Sequence, residues 1–144
     1  MFVAELNGLP EALAGIKAAY QRKGEATARG LKKAGLSLQH WSQEVAPVDK
    51  GIMYGSAFTR LTKNAGFNSE VQVGYTTSYA IFVHENLNAA HGDVYNEKYA
   101  AEIERGDKGF HLRKPNEQAK FLENPAREHA QDIKDIVARE ARNG

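Results

Sequence analysis

Residues 83–91, VHENLNAAH, hold the side-chain types that most often do chemistry. A zinc-protease helix carries His-Glu-x-x-His, because two imidazoles one turn apart can meet one metal. His84 and Glu85 fit that pattern, but Asn88 stands where the second histidine belongs. His91 is two helical turns beyond His84, too far to share a metal on a straight helix. His84 therefore reads as a structural histidine with a hydrogen-bond partner. His40, His111 and His129 are scattered without ligand spacing. YGSAF, residues 54–58, is only half of a Gly-x-Ser-x-Gly nucleophile elbow. Neither a Gly-x-x-x-x-Gly-Lys phosphate loop nor a Gly-x-Gly-x-x-Gly turn occurs. Glu102 and Glu104 sit close together on a predicted exposed helix, with nothing to make them a catalytic pair. The chain has no cysteine, which excludes disulfides, thiol nucleophiles and Cys-ligated zinc. These tests predict no catalytic residue, no metal, no cofactor and no enzyme.

The elements that would position such residues come from hydrophobic periodicity. Leu9, Leu13, Ile16 and Tyr20, then Leu31, Ala34, Leu38, Trp41 and Val45, recur in steps of three and four, with Gly24 and Thr27 between. That is one apolar helix face, opened by Pro10 in the first turn. Unbroken, the helix would span residues 9–45, roughly 55 Å at 1.5 Å per residue. Gly15, Gly24, Gly30 and Gly35 each weaken it by up to about 1 kcal/mol relative to Ala. Two helices broken near Gly24 or Gly30 are the alternative. A helix this long would protrude from so small a core and need a partner to cover its stripe. Opposite the seam, Arg22, Arg29 and Lys33 cluster. Such a row is ordinarily a solvated back face; the sharper reading is a contact with phosphate or an acidic partner.

Pro47 ends the helix, and PVDKG, residues 47–51, forms a turn in which Asp49 bonds backbone N–H groups and Gly51 takes positive φ. Residues 52–61 and 71–76 are expected as two strands, the second with Val71, Val73 and Tyr75 on one face. Two strands alone are marginal in water, so the sheet must lean on the helix or on another subunit. Ser78 is expected to cap a short helix carrying Tyr79, Phe82, Val83 and Asn86. Residues 88–116 form a polar excursion with a short helix through Tyr95, Tyr99 and Ile103. Asn124 as N-cap and Pro125 as N1 open a last amphipathic helix with Ala126, Ala130, Ile133, Val137 and Ala141 on one face. Asp135 and Arg139 are placed to pair along it. The order predicts one α+β domain over residues 1–144. A net charge of +1 and 42% apolar residues fit a soluble globular protein. No run is long enough to cross a membrane, and MFVAELNGLP at the start predicts no secretory signal.

Three short motifs, in order, resemble a known family. Ala46, Pro47, Val48, Asp49 and Gly51 match a helix-ending Ala-Pro-Val-Asp-Thr-Gly, with Lys50 in place of the Thr. Tyr79, Ala80, Val83, His84 and Glu85 match a Tyr-Ala-x-x-Val-His/Glu motif after a strand. Phe121, Leu122 and Ala126 match an aromatic-Leu-x-x-Pro/Ala segment before the final helix. Over residues 9–141 the chain resembles the tail-completion, or minor tail-component, family of long-tailed bacteriophages, of the lambdoid gene-ten-like type. The resemblance implies a structural virion protein of the neck region, made in the host cytoplasm. It would form a homo-oligomeric ring, expected as a hexamer, that closes the tail tube and joins it to the head connector. Its partners would be other neck, tail-tube and connector proteins, with passing contact with genome DNA and no membrane. Tail terminator and head-closure subunit are the neighbouring roles, and a nucleic-acid-binding protein using the basic stripe is the alternative of another class. In a ring the Pro47–Gly51 corner would set the angle between helix and sheet, since a heterologous interface closes only at the right rotation per subunit.

Overall fold

The computed structural model describes residues 8–48, 51–88, 97, 100 and 116–144. The fold is α+β, in the expected order. Helix α1 runs unbroken from Leu9 to Val45. A single turn α2, Ile52–Gly55, precedes an antiparallel hairpin of β1, Ala57–Lys63, and β2, Glu70–Tyr75. Helix α3 spans Ala80–Glu85, and the chain closes with α4, Glu123–Glu128, and α5, Ala130–Asn143. Among the described residues no helix is long and apolar enough to cross a membrane.

Helix α1 is the spine. The hairpin packs on one side of it and α5 on another, running antiparallel: Trp41 meets His129 at the start of α5, and Lys23 meets Arg142 at its end. The contacts explain why Gly24, Gly30 and Gly35 do not break the helix. A Cβ on Gly35 would stand 2.7 Å from Val71 Cγ1 and 2.8 Å from Thr59 Cγ2. A Cβ on Gly30 would stand 3.0 Å from the Val137 Cα. Five residues turn a helix by about 140° at 100° each, so the two glycines admit two different neighbours. The propensity lost at Gly is offset by backbone-close packing on both sides. Gly24 does the same for the hairpin loop, where its Cβ would lie 3.0 Å from Gly66 Cα.

Several boundaries depart from expectation. Residues 52–55 are helical, not strand. Gly51, at φ 76°, reverses the chain, and the Ser56 hydroxyl donates to Met53 O at 2.7 Å, closing a turn before the strand begins. In the hairpin Thr59 faces Val73 and Leu61 faces Val71, with a bulge before Lys63. The loop between the strands holds a 3-10 turn, Gly66–Asn68. Tyr79, not Ser78, occupies the N-cap position of α3, with no side-chain cap. The final helix is two helices: Leu122 precedes α4, Pro125 falls inside it, and His129 breaks it from α5. His129 is held there by stacking on Trp41 with ring centroids 3.9 Å apart and by a 2.8 Å bond to Asp132. Asp135 accepts from Gln131 at 2.9 Å rather than pairing with Arg139. Of the predicted helix through Tyr95, Tyr99 and Ile103, those three residues lie outside the described residues; Glu97 and Ala100 are helical.

Candidate functional site: the Phe121 joint and the bare front of the spine

The three motifs, far apart in sequence, meet around one ring. Phe121 is 1% exposed and is, with Ser42, the largest fully buried side chain. Ala46, Met53 and Ala80 share its core, with Val45, Tyr75, Val83 and Leu122 packed against it. Tyr75 and His84 each meet the Phe121 ring edge-to-face, at centroid distances of 5.2 and 5.0 Å. This is the favoured aromatic geometry, worth about 0.5–1.5 kcal/mol per pair beyond burial. Pro47 is buried beside Ala46 and Val48 is half-buried. Asp49 lies outside the described residues.

Hydrogen bonds pin the segment before α4 between α1 and α3. Gln118 N–H donates to Val45 O at 3.0 Å, and Lys120 N–H to His84 O at 2.7 Å. The buried Glu117 accepts from Val48 N–H at 2.7 Å, which ties the segment to the corner. Lys120 sits at φ 55°, the one described non-glycine residue in the left-handed region. That conformation costs about 1–2 kcal/mol, and the bonds on either side of it hold it in place.

Over this joint lies a row of charges. Glu85 accepts from Lys120 Nζ and from His84 Nδ1, the latter at 2.8 Å. Lys120 also reaches Glu123 at 3.3 Å, and Arg127 bonds Glu123 at 2.7 Å. The Glu123 N–H points at His84 Nε2 at 3.4 Å, on the far side of the ring from Glu85. The Lys120 ammonium, then the His84 contact, holds the Glu85 carboxyl below its usual range. Lys120 does the same to Glu123, and is itself pushed up chiefly by Glu85. Tyr75 is pushed up by burial, against a 2.7 Å hydrogen bond between its hydroxyl and Ser42 Oγ. The polar atoms of His84, Glu85 and Lys120 are thus occupied in holding the 117–123 segment on α3. Beside them an open cleft of about 220 Å³ is lined by Tyr75, Ala80, Ile81, His84, Phe121 and Leu122. Among the described residues no three His, Asp or Glu side chains gather as metal ligands. His91 and His111, and with them Glu102 and Glu104, lie outside the described residues.

The second feature is what α1 leaves uncovered. Leu9, Leu13, Ile16 and Tyr20 are 58, 57, 67 and 64% exposed. They follow one another in steps of four, three and four along one face. Among the described residues Tyr20 alone of these has a ring neighbour, Phe67 of the hairpin loop at 4.9 Å, itself exposed. At the other end of the spine Tyr79, Ile81, Phe82 and Leu87 on and around α3 are exposed as well. Isolated exposed apolar residues are ordinary; runs of them on one face mark contact surfaces.

The basic row divides. Lys33 is paired with Glu140 of α5, whose carboxyl it holds below the usual range. Arg22 and Arg29 remain exposed. Two features escaped the periodic pattern: the glycine contacts, where side-chain-free positions carry the packing, and the Trp41–His129 stack. The Gly and Ala run over residues 24–35 was the available signal for the first. Comparison of the chain with protein-family models, with curated proteins and with solved structures returns no match.

Proposed function

We propose that this chain is a structural subunit of a tailed-phage neck, a ring-forming tail-completion protein that works by shape rather than by turnover. The observation that carries the reading is the row of four large apolar side chains left bare on the front of α1. A globular chain that keeps Leu9, Leu13, Ile16 and Tyr20 in water gives up several kcal/mol, at about 1.5–3 kcal/mol for each side chain fully buried. A docked neighbour recovers that energy. The second apolar patch, around Phe82 at the opposite end of the spine, suits a heterologous contact, in which one subunit's front meets another's back and a ring closes. The meeting of all three motif segments at Phe121 supports the reading too. A rigid joint between spine, α3 and the segment before α4 keeps the two patches at a fixed angle. Tail-terminator and head-closure subunits would use the same surfaces.

Light scattering coupled to gel filtration, with negative-stain images, tests the proposal. The protein is expected to run as a discrete multimer with ring-shaped particles. Leu13→Asp with Ile16→Asp is expected to give the 15.9 kDa monomer with unchanged circular dichroism. A wild-type monomer that binds neither its own copies nor purified phage tails would contradict it.

A further inference from the structure

The open face of α1, between the hairpin and α5, carries cations that the fold does not hold by hydrogen bonds. Arg22, Arg29 and Lys32 fall within about 80° of arc at 100° per residue. None of the three makes a hydrogen bond or ion pair among the described residues, whereas Lys33 is taken by Glu140 and Lys23 by the Arg142 carbonyl. Glu25 is the one acid among them on this face. In a chain whose net charge is only +1, that is a segregation of charge rather than a share of it. Arg29 and Lys32, with Glu25 and Ala28, also line a groove of about 380 Å³, whose far wall is Leu61 of β1 and Asn64 of the hairpin loop.

We infer that this face binds the phosphate backbone of double-stranded DNA. Ten residues of helix from Arg22 to Lys32 rise about 15 Å. That length matches about four phosphates of one strand at 3.4 Å of axis each. A continuous helix presents the cations as a rigid row, and Asn64 adds an amide donor at the groove mouth. Among the described residues the face offers no exposed aromatic ring on which a single strand would stack. Its one large exposed apolar side chain among the described residues is Leu36, too little for the apolar centre of a protein interface. Contact is therefore with backbone alone and reads no sequence. The inference rests on charge placement and does not depend on ring formation.

Fluorescence anisotropy with a 30-base-pair duplex, at 50–200 mM salt, tests it. Three phosphate contacts predict a log–log salt slope of about −2.7, so affinity falls roughly 40-fold across that range. Arg22→Gln, Arg29→Gln and Lys32→Gln together should flatten the slope by about 2.7, each alone by about 0.9. None of the three side chains holds a hydrogen bond in the fold, and Arg29 only adds to the field that Lys33 sets at Glu140, so circular dichroism and multimer mass should stay as in wild type. Lys134→Gln, an exposed cation on α5, should leave the slope unchanged. Three results would overturn the inference: no binding at 50 mM salt, a slope unmoved in the triple variant, or an equal loss with Lys134→Gln. Displacement of the duplex by poly-L-glutamate at equal charge concentration would also overturn it, pointing to an acidic protein instead.

Discussion

The two halves of α1 are built on opposite rules. From Gly24 to Val45 the helix is covered on two sides, and its buried positions are small: Gly24, Ala26, Ala28, Gly30, Ala34, Gly35 and Ser42. From Leu9 to Tyr20 its large apolar side chains, Leu9, Leu13, Ile16 and Tyr20, are bare. Large side chains on the back half would push the hairpin and α5 away. Small ones on the front half would leave a neighbour nothing to grip. Size and exposure together separate the face that makes this fold from the face that is offered outward.

The contrast can be broken at several points. The largest effect is expected at the joint that anchors the back half: Phe121→Ala should cost about 3–5 kcal/mol in urea unfolding, as a buried aromatic leaves a cavity. Gly35→Val comes next, at about 1–3 kcal/mol, because Val71 and Thr59 leave no room for added carbons. Tyr75→Phe should cost about 0.5–1.5 kcal/mol by removing the bond to the buried Ser42. Gly15→Ala on the front half should do the reverse of Gly35→Val. A Cβ there meets nothing within 4 Å, so helix propensity alone should stabilise, by up to about 1 kcal/mol.

The smallest effect is one of pH. Glu85 and Glu123 have carboxyls lowered in the folded state, so the stability they add is present above the unfolded carboxylate range. It is lost as pH falls through their folded values, below the usual carboxylate range. Lys120→Met should flatten the acid limb of a melting-temperature profile and leave the neutral region nearly level.

The α+β order, the long first helix, the second strand and the Pro47 stop were legible because each has a local cause. Alternating Val71, Val73 and Tyr75 specify a strand, and Pro47 cannot continue a helix. The uncovered stripe was also legible, as a helix too long for its core. What was hidden was non-local. Gly24, Gly30 and Gly35 look like weaknesses until a hairpin and a second helix lie against them. Residues 52–55 look like strand until the Gly51 turn and the Ser56 hydroxyl make them one helical turn. The break at His129 depends on Trp41, more than eighty residues upstream. The charge row split for the same reason: spacing groups Lys33 with Arg22 and Arg29, while Glu140 decides which cation is spent.

Hydrogen exchange along α1 as a function of protein concentration tests most directly whether its front half is completed by another copy. Amides over residues 24–45 should be protected to the same degree at every concentration, since this chain alone covers them. Amides over residues 9–22 should exchange fast when dilute and slow steeply as concentration rises. Front-half amides that exchange at one rate across the whole range, fast or slow, would contradict the account.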